Sequence, residues 1–262
     1  MKPLLRWLGL VVLAALALQL FFVLRIAALV AIDPQSTTFQ RSEAWAQLST
    51  TGRVRWKQEW VPYDQMSNHL KRAVIASEDA DFAHHGGVEW EAIEKARARN
   101  ARAEARAEER ATRQAAAASR KNAATAATAP NAPAAAAKPP KIVGGSTITQ
   151  QLAKNLLLSS ERNLIRKGQE LVLTLLLENL LSKQRILEIY LNNVEWGNGV
   201  FGAEAAAQHY FKKSAARLAP NEAARLAVML PAPKRFEKTP GSAYLAGRTR
   251  AIAGRMRNAQ LP

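Results

Sequence analysis

At 262 residues, 48% of them hydrophobic, the chain is long enough to bury a sizeable core in one or two domains. The absence of cysteine excludes disulfide bridges and thiolate metal centres. A net charge of +16 and a pI near 10.6 call for an acidic partner.

The first element is apolar. Lys2 and Arg6 precede residues 7–24, a run broken only by Gly9 and Gln19, which resumes at Ile26 and stops at Asp33-Pro34. A helix crossing a hydrocarbon layer of roughly 30 Å needs about 20 such residues. The run continues well past Ala15-Leu16-Ala17, too far for the core of a cleaved signal peptide, so it reads as a retained anchor. Residues 1–6 then form a cytoplasmic tail, 7–32 a transmembrane anchor, and the remainder lies outside. Beside such an anchor, an anionic or diphosphate-bearing lipid fits the acidic partner better than nucleic acid does.

Residues 33–60 read as a connector, with a strand signal at Arg53-Val54-Arg55-Trp56. Asp64 is placed to cap a helix through Met66, Leu70, Ala73 and Val74, which brings Glu78 to its C-terminal end. A second helix is predicted from about Glu89. Residues 96–137 are half alanine and hold eight Arg/Lys against three Glu. Their Ala-Arg-Glu part favours helix, with Glu109 and Arg113 paired, and a basic face suited to anionic lipid. Their Ala-Pro part reads as a linker.

Order resumes at Gly144, where Thr147 and Gln150 have capping-box spacing. Residues 164–181 are apolar nearly all round but too short and too charged at both ends to span a membrane, which predicts a buried central helix. Ser182 caps a helix over 183–191, and two more are predicted over 204–211 and 221–230. Period-two strands are nearly absent, so the fold class is all-α, with residues 61–240 as the globular domain and 241–262 as a C-terminal tail.

Two blocks carry chemistry. The first is Glu78-Asp79-Ala80-Asp81-Phe82-Ala83-His84-His85-Gly86-Gly87, a carboxylate beside an aromatic and a histidine. The second is Gly144-Gly145-Ser146-Thr147-Ile148-Thr149-Gln150-Gln151-Leu152-Ala153-Lys154-Asn155, a glycine-hydroxyl-amide turn opening a helix that soon carries a lysine. Together they supply a base and an anion cradle, the parts needed to transfer a group from a phosphorylated donor.

Both blocks resemble the peptidoglycan glycosyltransferase family (glycosyltransferase family 51), whose motifs read E-D-x-x-F-x-x-H-x-G and G-x-S-T-I-x-Q-Q-x-x-K-N. Arg166, Lys167 and Glu170 resemble its third motif, R-K-x-x-E, and the likeness extends to about Pro233. The family's connection over 96–137 is much shorter, so that segment reads as an insertion.

The resemblance implies a lysozyme-like helical fold and polymerisation of lipid II into β-1,4-linked strands, with inversion and release of undecaprenyl diphosphate. It implies catalytic roles for Glu78, as base, and Glu170. Asp79, Phe82, His85, Ser146, Thr147, Gln150, Gln151, Lys154, Arg162, Arg166 and Lys167 are the implied substrate-binding residues, with Asp79 and His85 also shaping the first block. Asn192, Asn193 and the nearby glycine turns are placed along the sugar cleft. Glu170 is expected to orient the cations or a divalent ion, Mg²⁺ or Mn²⁺, at the diphosphate; no other cofactor and no protein metal site are expected. The implied partners are lipid II, the growing glycan, membrane lipids and other cell-wall synthesis proteins, at the inner membrane with a periplasmic domain. No S-x-x-K occurs, so no transpeptidase domain is expected. The rival readings are a cell-wall hydrolase or lytic transglycosylase on a related fold, which has no use for the cations, and a basic membrane-tethered binding module, which leaves the Glu78 block unexplained.

Overall fold

The computed structural model describes residues 2–124, 145–158 and 163–262. They form two compact units, one from Met1–Val88 with Ser146–Pro262, the other from Glu89–Gly145. The expected all-α class holds. Among the described residues, the sheet is limited to β1 (Glu195–Gly197) paired antiparallel with β2 (Val200–Phe201).

The anchor helix α1 (Lys2–Ala28) starts earlier than predicted and takes in the expected tail. Leu5, Trp7, Val11, Leu13 and Leu16 are exposed around it, an apolar surface of the length and kind that a membrane covers. Its last turns differ: Phe22, Ile26 and Leu29 join the protein core. There α1 packs on α6 (Leu164–Leu180), and Gln19 exchanges amide hydrogen bonds with Gln169 at 2.9 and 3.2 Å.

The connector is not extended. It contains α2 (Thr38–Thr51), started by a capping box between Thr37 and Gln40. No strand forms over residues 53–56; instead Lys57 alone pairs with β2, donating to the Gly199 carbonyl at 2.8 Å and accepting from Phe201 at 2.9 Å.

Helix α3 (Asn68–Glu78) ends on Glu78 as predicted, but its cap is Ser67, whose hydroxyl accepts from the His69 amide at 3.2 Å. Asp64 instead sits in a 3₁₀ turn over Tyr63–Gln65. In the second unit, α4 (Trp90–Ala124) carries the Ala-Arg-Glu stretch, with Glu91 and Lys95 paired at 2.8 Å one turn apart. The Ala-Pro part of the predicted linker lies outside the described residues, apart from its first few positions.

Helices α5 (Ile148–Leu157), α6 and α7 (Lys183–Asn193) pack together and start at Thr147, Asn163 and Ser182 caps. α6 is not a buried central helix. Leu173 and Leu177 are fully buried, whereas Ile165 is 86% exposed and Val172 and Leu175 more than 40%. Its all-round apolar pattern reflects two settings, the core on one side and an open face on the helix that meets the membrane anchor. α8 (Ala203–Phe211) and α9 (Pro220–Met229) follow the hairpin, with Trp196 buried and donating to the Leu226 carbonyl at 3.0 Å. α10 (Pro233–Lys238) packs beside β1.

The expected C-terminal tail is a core helix. α11 (Ala243–Arg255) packs on α3 and α9, with Leu245 and Ile252 buried at helical spacing behind a Ser242 cap and Met256 buried in the 3₁₀ turn that follows. Ile252→Ala therefore empties a filled core site and is expected to cost about 2–5 kcal/mol, read as a lower thermal or urea midpoint in detergent. A detached tail would leave the midpoint unchanged.

Candidate functional site

The two sequence blocks meet at one buried carboxylate. Asp79 follows the last residue of α3, and its Oδ2 accepts from the Ile148 amide at 2.9 Å, at the start of α5. Its Oδ1 lies 2.7 Å from His85 Nε2. Since His85 Nδ1 accepts from the Gly87 amide at 3.0 Å, the ring proton sits on Nε2 and is donated to Asp79. Burial pulls the His85 pKa down, but Asp79's hydrogen bond and charge leave it above the usual histidine value.

Thr147 closes the same junction. Its hydroxyl donates to the Gly87 carbonyl at 2.6 Å and accepts from the Gln150 amide at 3.1 Å, while Gln150 Oε1 accepts from the Thr147 amide at 3.1 Å. Lys183, at the start of α7, donates to the His85 carbonyl at 2.6 Å and to Glu178 at 2.9 Å, with its ammonium 4.5 Å over the buried Phe82 ring. Gly87 has φ +85, and a Cβ there would fall 2.7 Å from Glu178 and 2.8 Å from Thr174. Only glycine fits so close to α6.

Glu78 looks out of this frame. Its Oε2 accepts from the Gln151 amide at 3.1 Å and its Oε1 faces the Ser77 hydroxyl at 3.3 Å. Burial raises its pKa above the ordinary carboxylate value; Gln151, Ser77 and the charge of Arg248 oppose the rise, while Asp79 adds to it. Gln151 in turn accepts from the buried Tyr190 hydroxyl at 3.0 Å.

A cationic cluster lies along α6. Arg166 and Lys167 hold the two oxygens of buried Glu170 at 3.2 and 2.5 Å. Among the described residues, the buried Arg166 Nε has no hydrogen-bond partner. Glu170 lies one turn, about 6 Å, before Thr174, which abuts Gly87, so the cluster is near the first block. Lys154 is exposed on α5, one turn beyond Gln151. Arg162 lies outside the described residues. With both Glu170 oxygens engaged by cations, this donor set does not fit a resident Mg²⁺ or Mn²⁺.

The predicted residues thus sort by geometry. Glu78, Gln151, Lys154, Arg166 and Lys167 have exposed or partly exposed side chains, and Ser146 is exposed at the entry to α5. Asp79, Phe82, Thr147 and Gln150 are buried and occupied with joining the blocks, so they position the site rather than face a substrate. Asn192 and Asn193 do not line a cleft: both are buried, and their side chains donate to the Val61, Glu188 and Ile189 carbonyls. Arg248 was missed because α11 was read as a tail, although the Leu245, Ile252 and Met256 spacing marks that helix.

Thr147→Val keeps the side chain's shape but removes both hydroxyl bonds. It is expected to cost about 1–3 kcal/mol and to lower the melting midpoint, whereas Ser146→Ala should stay within about 0.5 kcal/mol of wild type. Melting curves of the two variants check this.

The sequence model of the Transglycosylase family matches residues 45–112 and 120–257. A biosynthetic peptidoglycan transglycosylase from Paraburkholderia xenovorans (strain LB400) is 47% identical over 261 residues, covering 98% of this chain and 94% of its own length. One from Herminiimonas arsenicoxydans is 46% identical over 263 residues, covering 100% and 99%. One from Burkholderia thailandensis is 48% identical over 249 residues, covering 95% and 84%. The match takes in α11 and the second half of α2, both beyond the expected domain bounds of 61–240, and the chain belongs to the transglycosylase family.

Proposed function

We propose that the chain polymerises peptidoglycan glycan strands from lipid II, with Glu78 as the general base. The acceptor 4-hydroxyl gives its proton to Glu78 as its oxygen bonds to the donor anomeric carbon. The bond from that carbon to the diphosphate oxygen breaks, and undecaprenyl diphosphate leaves with the electron pair. Attack from the face opposite the leaving group inverts the anomeric centre.

The observation that carries this reading is the desolvated Glu78 carboxylate, with cations on the two neighbouring helices. Burial makes it a stronger base than an exposed glutamate, while the Gln151 amide keeps it within reach of an ionised state. Arg166, Lys167 and Lys154 offer charge to the diphosphate. Glu170 orients Arg166 and Lys167, and any divalent ion arrives with the diphosphate rather than in a protein cage. The anchor α1 holds the domain on the periplasmic side of the inner membrane, where donor and acceptor share the same bilayer.

Glu78→Gln should lower polymerisation of labelled lipid II by roughly 10²–10⁴-fold with an unchanged melting midpoint. Near-normal turnover, or fragments released from preformed glycan by the wild-type protein, would refute the reading. The pH dependence has a definite sign. The base works ionised, so kcat falls as pH drops through the Glu78 pKa. Because burial raises that pKa, the fall begins at higher pH than for an exposed glutamate. A kcat profile between about pH 4 and 8 measures it.

A further inference from the structure

The hydrogen bonds around Glu78 continue inward to a residue in the protein core. Tyr190 is buried on α7, and its hydroxyl donates to Gln151 Oε1 at 3.0 Å. The other end of that amide donates to Glu78 Oε2 at 3.1 Å. Among the described residues, Gln151 is the one acceptor of the Tyr190 hydroxyl.

The two ends of a glutamine amide are chemically opposite, one accepting and one donating. Turned over, Gln151 would aim its carbonyl at Glu78, an arrangement that repels a carboxylate and welcomes a protonated acid. It would also aim its NH₂ at Tyr190, whose own O–H would then be buried without an acceptor. The tyrosine hydroxyl therefore selects the amide orientation that favours ionised Glu78.

We propose that Tyr190 is a positioning residue that locks the Gln151 amide with its N–H toward Glu78, and so keeps Glu78 ready to accept a proton. The proposal rests on Glu78 being the base and adds how its ionisation is set. During turnover the proton moves from the acceptor hydroxyl to Glu78; the locked amide favours its later loss to solvent and resets the base.

The charged and titratable groups that bear on Glu78 are Asp79 at the same helix end, Arg248 from α11 and Tyr190 from α7. Tyr190 itself stays neutral, because burial and the nearby Glu78 and Asp79 charges push its pKa well above the usual phenol value. Removing its hydroxyl thus changes no charge, only the orientation of an amide.

The test is the kcat–pH profile of Tyr190→Phe, Gln151→Met and the double variant, on full-length protein with lipid II. Tyr190→Phe should move the acid limb up by roughly 0.5–1 pH unit, with KM unchanged. Gln151→Met should move it the same way, and adding Tyr190→Phe to Gln151→Met should move it no further. An unmoved acid limb, or separate shifts that add in the double variant, would overturn the proposal. A second readout needs no substitution: in wild-type protein the Gln151 side-chain amide should keep one pair of NMR resonances above the Glu78 pKa, and interconversion of two orientations there would overturn it. An inactive Glu78→Gln beside an unmoved Tyr190→Phe profile sinks the tyrosine proposal alone. An active Glu78→Gln sinks the base reading itself.

Discussion

The site depends on Asp79. This one buried carboxylate accepts a backbone N–H from the first turn of α5 and faces the His85 ring, so it ties the end of α3 to two other segments at once. Hydrogen bonds to a charged group contribute about 1.5–3 kcal/mol each, and leaving the Ile148 amide unpaired in the interior would add its own penalty. Glu78 is the neighbouring residue, so whatever fixes Asp79 fixes the place from which Glu78 leaves the backbone. Thr147, Lys183 and the positive φ of Gly87 brace the same loop from other sides.

Around that frame the charges are kept apart by task. Glu78 meets mainly uncharged donors, Gln151 and Ser77, which allows desolvation to raise its basicity. The concentrated positive charge sits on α6, where Glu170 holds Arg166 and Lys167 in place. A cation in direct contact with Glu78 would lower its pKa and weaken it as a base. α6 also packs on the membrane anchor, so the helix carrying the anion-binding side chains is the one that meets α1.

Much of this was legible in the sequence, and the misses have physical causes. The Thr147–Gln150 box and the Ser182 cap are local chemistry, fixed by residues three apart, and both formed as read. Glu78 at the end of α3 followed from apolar spacing, although the cap itself moved from Asp64 to Ser67. α2 lacked a signal because its one buried residue is Gln40, whose side-chain amide donates a hydrogen bond to the Asn193 carbonyl, rather than an apolar stripe. Asn192 and Asn193 illustrate the opposite error. Polar residues next to glycine turns suggested a cleft, but each spends its side chain on backbone groups in the core. Which side of a helix a polar residue serves is set by tertiary partners, and periodicity does not carry that information. The outward face of α6 was hidden for the same reason, since its exposed Ile165, Val172 and Leu175 are the residue types that also fill the core.

The central claim is that Glu78 accepts the proton of the attacking hydroxyl. The most direct measurement is a crystal structure of Glu78→Gln with lipid II analogues in the donor and acceptor positions. The account places the acceptor 4-hydroxyl within about 2.6–3.2 Å of the residue 78 side chain, with the donor diphosphate against Arg166 and Lys167. A complex in which that hydroxyl instead faces another titratable group, with residue 78 beyond hydrogen-bond reach, would contradict it.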